Sequence, residues 1–247
     1  MLTPLLIHAW ASSPQRLAIA VGVTLGFAVL ARALRGVSRS GALAGGIACF
    51  LLFAGIGPVA FATLAALFVM TWVSTRLGYR RKLALGVAER REGRTAWQVL
   101  ANLAVAGVAS FVFGATGSTG WLVAAVAALT EAATDTVASE IGQSAGGDAR
   151  LITTWARVAA GTDGGITVPG SIAGLAAGLA MAAVAAIGGM ISLSQVWIPV
   201  TAGFVGMLFD SLLGATVQRR GWLSNQAVNL VATLGAAVTG YAIVMWV

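Results

Sequence analysis

The chain has 247 residues, of which 58% are hydrophobic and only 9% charged; a soluble domain carries about a quarter charged residues, so the composition excludes one and defines a polytopic membrane protein. The net charge of +7 does not point to nucleic acid, because the basic residues sit in short segments between apolar runs, where they set topology and meet lipid phosphates. One cysteine, Cys49, and one histidine, His8, exclude an internal disulfide, a cysteine- or histidine-based zinc site and a Ser-His-Asp triad.

Residues 1–15 begin with an apolar stretch, Leu2 to Trp10, that lacks a basic start and is followed by Pro14. It is too short for a span and does not fit a signal peptide, so it reads as an interfacial lead-in. Apolar runs of about 17 residues or more then predict spans at 16–34, 41–57, 58–75, 96–114, 119–138, 170–191, 197–216 and 226–246. The expected fold is all-α: a polytopic transmembrane helix bundle of about eight helices, seven or eight, in a single integral membrane domain. The second span is short and Gly-rich, and only the turn signal Gly55-Ile56-Gly57-Pro58 separates it from the third.

With eight spans the basic residues divide unevenly. Arg32, Arg35 and Arg39, the run from Arg76 to Arg94, then Arg150, Arg157, Arg219 and Arg220 fall on one side, and only Arg16 on the other. The positive-inside rule makes the first side cytoplasmic and both termini external. The basic loop 76–94 and the Gly-rich loop 139–169 then face the cytoplasm, and a bacterial inner membrane is the expected location. Trp72, Trp97, Trp121, Trp197, Trp222 and Trp246 fall near span ends, as an interfacial aromatic belt requires.

The segment Thr130 to Gly142 holds Glu131, Asp135 and Glu140, three of the chain's eight carboxylates, and directly continues the fifth apolar run. Ionised acids at membrane depth cost roughly 2.5–3.5 kcal/mol each on insertion scales, so a cluster of them serves an ion, a proton or a metal-bound substrate. Glu131 and Asp135 are four apart and share a helix face, whereas Glu140 would lie about 140° round from Asp135 on a continuous helix. Polar residues also recur every four positions elsewhere: Arg94, Gln98 and Asn102; Gly206, Asp210, Gly214 and Gln218; Asn225 and Asn229. Each stripe alone is readily interhelical glue, but three at the depth of the acids suggest a shared polar cavity. Gly170, Gly174 and Gly178, like Gly41 and Gly45, read as close-packing faces. Gly161-Thr162-Asp163-Gly164-Gly165 is either a plain flexible turn or a loop whose backbone amides wrap a phosphate, with Asp163 available to a metal.

No GxxxxGK[ST] occurs, and Lys82 is the only lysine, so a P-loop is excluded and any phosphate must be met by arginine, backbone amides and Mg²⁺. The segments Gln98–Asn102, Asp135–Gly142, Gly161–Gly165 and Asp210–Gln218, followed by Asn225 and Asn229, resemble in order the motifs of the integral membrane family that contains phytyl-phosphate kinase of the vitamin E pathway and the animal transmembrane protein 19. The resemblance runs from about residue 36 to the C-terminus. Val137 stands where that family commonly has tryptophan, and the first 35 residues carry no family signature.

The resemblance implies a kinase that phosphorylates a prenyl monophosphate such as phytyl phosphate to the diphosphate. A nucleoside triphosphate, CTP by family analogy, is the donor, and Mg²⁺ is the cofactor. Asp135 is then the principal metal ligand and catalytic residue, with Glu131 and Glu140 as partners and Asp163 or Asp210 contributing from other segments. Arg94 and Arg157 are the expected phosphate contacts. Gln98, Asn102, Ser139, Gly161, Thr162, Gly164, Gly165, Asp210, Ser211, Gln218, Asn225 and Asn229 complete the substrate site. The partners are the bilayer, the prenyl phosphate and the nucleotide, and oligomer formation stays open. The competing class is an ion-coupled transporter or flippase of a phosphorylated lipid or small anion, which also uses intramembrane acids and Gly-interrupted helices.

Overall fold

The computed structural model describes residue 10 and residues 13–146 and 148–246. Of the lead-in expected over 1–15, residues 1–9, 11 and 12 lie outside the described residues, and His8 with them. The bundle is built from α1 (Arg16–Ala33), α2 (Arg39–Gly55), α3 (Pro58–Arg76), the short α4 (Tyr79–Ala84), α5 (Ala96–Thr116) and α6 (Thr119–Ala145). A small sheet follows, formed by β1 (Ala149–Leu151), β2 (Arg157–Val158) and β3 (Gly165–Ile166). The chain then continues through α7 (Val168–Ile187), a 3₁₀ turn at Leu193–Gln195, α8 (Trp197–Leu213), a π-helical turn at Gly214–Gln218 and α9 (Asn225–Trp246).

Among the described residues seven helical stretches are long and apolar enough to cross a bilayer: α1, α3, α5, α6, α7, Leu193–Gln218 around α8, and α9. The eighth expected span, α2, is helical and apolar but stops at 17 residues. Its limits are local. Ser38 caps its start, accepting a hydrogen bond from the Gly41 amide at 3.1 Å. At the other end Gly57 adopts φ +108 before Pro58 opens α3, a conformation only glycine takes readily.

The long central helix α6 is the axis of the bundle. It packs against α3, α5, α7, α8 and α9, and 83% of its membrane-length window is buried. Small residues on its neighbours make this approach possible. A Cβ at Gly170 would come within 2.5 Å of the Ala138 carbonyl oxygen, and one at Gly174 within 2.7 Å of that of Thr134. One at Gly178 would come within 2.7 Å of Thr134 Oγ1. These three glycines are the packing face their spacing predicts, with α7 laid directly on α6. Gly41 likewise lets α2 touch the backbone carbonyl of Arg94.

Two features of loop 139–169 differ from the expectation. Helix α6 continues to Ala145 rather than ending near 138, because nothing interrupts it before Gly146 at φ +64. Beyond it the chain forms an antiparallel sheet of order β2-β1-β3, with Arg150 opposite Arg157 on one side and Ile166 on the other.

Candidate active site

The carboxylates of α6 are dealt out by helix geometry. Glu131 is 1% exposed and lies against Gly206 of α8, where a Cβ would stand 2.6 Å from Glu131 Cγ. The Gly206–Asp210 spacing predicted as a polar stripe therefore makes room for one acid and supplies another. One turn along, the half-buried Asp135 lines a cavity of about 170 Å³, and Asp163 and Asp210 line it as well. Asp210 is within electrostatic range of both Asp135 and Asp163, and Glu131 of both Asp135 and Asp210.

Asp163 reaches this cavity because two glycines face each other. Gly164 adopts φ +75, and a Cβ on it would collide with Ala215. A Cβ on Gly214 would stand 2.8 Å from the Gly164 nitrogen. Loop 161–165 thus lies flat on the π-helical turn that ends α8, a widened turn of the kind that recurs at functional sites. Gly161, Thr162, Gly164 and Gly165 form one wall of the cavity. Ser139 of α6, Ser211, Gln218 and Asn225 form the rest of the predicted lining, and Gln143, Thr167 and Ser171 join them without having been singled out in the sequence.

Two asparagines connect this cavity to α5. The side chains of Asn102 and Asn229 meet at 3.2 Å. In the amide orientation that satisfies its surroundings, the Asn229 nitrogen donates to the Asn225 carbonyl oxygen at 2.9 Å and to Asp210 Oδ2 at 3.1 Å. On the other side Arg94 Nη1 donates to Thr136 Oγ1 at 3.5 Å, so its guanidinium stands beside the residue that follows Asp135.

Three predicted site residues are placed elsewhere. Glu140 remains on the helix, turned away from Asp135. It accepts from Lys82 Nζ at 2.5 Å and from Thr75 Oγ1 at 3.1 Å, so it is a structural ion-pair partner rather than a metal ligand. Gln98 closes a capping box: its Oε1 accepts from the Thr95 amide at 2.8 Å, and its amide nitrogen donates to Glu89 at 2.9 Å. Both ends of that side chain are occupied, and it does not line the cavity. Arg157 on β2 pairs at 3.1 Å with Asp148, the residue before β1, and its side chain is 70% exposed, outside the cavity. The partner of Glu140, Lys82, is fully buried; 58 residues separate the two, and no local pattern in the sequence links them.

The donor set suits a hard cation. It consists of carboxylates, hydroxyls and an amide, and Mg²⁺ prefers such oxygens. Among the described residues no three His, Cys, Asp or Glu side chains converge into a closed metal cage.

A membrane-embedded helix bundle with a carboxylate-bearing cavity, walled by a glycine loop and flanked by arginine, is the class of protein these features define. The chain belongs to the DUF92 family of integral membrane proteins, whose profile matches residues 22–237. This is the integral membrane family that its motif order resembles. It is 35% identical over 195 residues to an uncharacterized membrane protein of Synechocystis, covering 76% of this chain and 75% of that one. It is 33% identical over 213 residues to the chloroplastic protein VTE6 of Arabidopsis thaliana, covering 82% and 64%. Identity to an uncharacterized membrane protein of Methanocaldococcus jannaschii is 29% over 233 residues, covering 92% and 94%. No solved structure matches the chain.

Proposed function

We propose that this protein is a membrane-embedded phosphotransferase that converts a prenyl monophosphate, such as phytyl phosphate, to the diphosphate at the expense of a nucleoside triphosphate. The observation that carries this reading is the meeting of Asp135, Asp163 and Asp210 from three separate segments at one cavity. A triphosphate brought to three bare carboxylates would be repelled, and a divalent cation reconciles the two charges. Asp135 and Asp210 are the residues that would hold Mg²⁺, with Asp163 in reach from the loop. When bound, the ion would neutralise charge on the transferring phosphoryl group.

The residues needed are few because the acceptor is already a nucleophile. A phosphomonoester has a second pKa near 6 and is largely a dianion at neutral pH. One of its oxygens forms a bond to the γ-phosphorus while the bond from that phosphorus to the β–γ bridging oxygen breaks, yielding prenyl diphosphate and nucleoside diphosphate. No proton has to be removed, which agrees with a site that has no histidine. What remains is positioning and electrostatics. The amides of Gly161, Asp163 and Gly164 and the hydroxyls of Ser139 and Ser211 are suited to orient phosphate oxygens, while the Thr162 hydroxyl and the Thr162 and Gly165 amides hold the loop's own turns. Asn229 steadies Asp210, and Arg94 meets the acceptor phosphate. CTP is the preferred donor on family grounds.

The test uses detergent-purified protein with phytyl phosphate, Mg²⁺ and each of the four labelled nucleoside triphosphates, beside Asp135→Asn. Labelled phytyl diphosphate from the wild type and not from the variant is expected. If no nucleotide gives a lipid diphosphate, or Asp135→Asn works equally well, the kinase reading fails. Nucleotide-independent flux of phosphorylated lipid in proteoliposomes would favour the carrier class instead.

A further inference from the structure

The carboxylate cavity is small and polar, yet the substrate proposed for it carries a long apolar chain. A second and larger cavity, of about 440 Å³, opens between α1, α2, α3 and α5, within the roughly 300–1,000 Å³ typical of ligand sites. Its inner wall is apolar, with Phe27, Leu64, Leu67, Phe68 and Leu103. Its space comes from small residues on facing helices, Ala28 on α1 and Ala42 and Gly45 on α2. From Phe27 to the end of α1 at Ala33 this wall rises roughly 9 Å at 1.5 Å per residue.

One end of the groove is strongly cationic. Arg35, Arg76, Arg90, Arg91 and Arg94 all line it, with Glu89 as the one acid. Arg76 is occupied, stacking on Trp72 at 3.9 Å and donating to the Leu34 carbonyl oxygen at 2.7 Å. Arg35, Arg90 and Arg91 form no ion pair among the described residues. Arg94 Nε is buried without a hydrogen-bond partner, its contact with Glu89 being a long 4.0 Å. A buried guanidinium N–H left without an acceptor is costly, and an anion at this end would supply one. Arg94 is also the bridge between the two cavities, since it lines the groove and bonds Thr136 next to Asp135. Asn102 lines the groove as well and meets Asn229 on the Asp210 side.

We infer that this groove is the acceptor subsite, binding a single-chain isoprenoid monophosphate with its tail between α1, α2, α3 and α5 and its phosphate on the arginine end, against Arg94. The inference rests on the phosphotransferase reading for the choice of ligand, but not for its test. The apolar length accounts for a tail, the arginines account for a charged head, and the head is delivered to the wall that separates it from Asp135. On this reading the groove takes one chain, and a two-chain lipid of similar head charge is the control.

Equilibrium binding of labelled phytyl monophosphate to the purified full-length protein, without nucleotide, tests it. The wild type should bind phytyl monophosphate at least about tenfold more tightly than phytol or dioleoyl phosphatidic acid. Gly45→Leu fills the groove from α2, where a Cβ meets only Val99 Cγ1 at 3.7 Å, and Ala28→Trp fills it from the opposite wall. Either should weaken binding by about tenfold or more, with melting temperature and nucleotide binding unchanged. Arg91→Ala should weaken phytyl monophosphate while leaving phytol as it was. Equal competition by phosphatidic acid, or undiminished binding in both filled variants that keep the wild-type melting temperature, overturns the subsite. Should either filled variant misfold, a diazirine-bearing prenyl phosphate must label peptides of α1 to α3 in the wild type, and labelling confined to α7 to α9 overturns the subsite. If binding behaves as expected but no phosphoryl transfer occurs, the groove stands and the kinase reading falls. If transfer is normal with the groove filled, the groove alone falls.

Discussion

Lys82 is fully buried, and its ammonium spends its three protons on Glu140 and on the carbonyl oxygens of Ser74 at 3.0 Å and Thr75 at 2.7 Å. It ties α3, α4 and α6 together at the arginine-rich end. Removing one partner of a buried pair strands the other, at a typical cost of about 3–5 kcal/mol, whereas replacing both with apolar or neutral groups is often tolerated. Lys82→Ala should therefore lower the melting temperature in detergent sharply, and Lys82→Met with Glu140→Gln should recover most of it. The same contrast separates Glu140 from the cavity acids. Below its own melting temperature Glu140→Gln should keep the wild-type Mg²⁺ dependence of phytyl-phosphate phosphorylation, whereas Asp210→Asn should shift it. Asn229→Ala leaves Asp210 without its amide donor; loss of such a supporting bond costs about 10–100-fold in metal affinity or activity, read as kcat/KM, with little change in helicity.

At the scale of elements, the loop 161–165 and the π-helical turn are held in register by Gly164 and Gly214. Gly164→Val imposes a β-branched side chain at φ +75 and drives it into Ala215, so the loop must lift and take Asp163 with it. Activity should be lost while circular dichroism stays helical. Gly174→Val attacks the α6–α7 seam instead, and overpacking there should cost about 1–3 kcal/mol or more and lower the melting temperature. These elements also mark what was legible in the sequence. The spans were, because a bilayer demands about 20 apolar residues per helix, and so were the glycine faces, whose four-residue spacing is the helix repeat. The capping role of Gln98 was readable too, since Thr95-x-x-Gln98 is a capping-box pattern. The sheet was not, because its strands of two or three residues are too short to show alternation. Nor was the end of α6, where Ser139, Glu140 and Gln143 end the apolar signal without ending the helix. The loop-to-α8 contact that brings Asp163 to Asp210 depends on tertiary packing, which no local periodicity records.

For the whole molecule, the deciding question is which compartment the cavity faces, since both cavities lie at the end of the bundle where the arginines gather. An excess of arginine at one end is what the positive-inside rule uses to retain that end in the cytoplasm, where nucleoside triphosphates are abundant. Cys49 is 0% exposed, so single cysteines introduced elsewhere can be read against the native chain. Arg80→Cys on α4 and Thr153→Cys in the turn between β1 and β2 lie at the arginine-rich end; Thr116→Cys at the end of α5 and Ser194→Cys before α8 lie at the other, and all four positions are exposed. In bacterial spheroplasts a membrane-impermeant maleimide should label positions 116 and 194 only, and in inverted vesicles positions 80 and 153 only. Labelling of 80 and 116 from the same face would mean that α5 does not cross. The opposite pattern throughout would turn Asp135, Asp163 and Asp210 away from the cytoplasm, and a kinase drawing on cytoplasmic nucleotide could not work in that orientation. Because the same labels flank α5, α6 and α7 in turn, one set of four variants tests those three crossings, the sidedness and the nucleotide supply together.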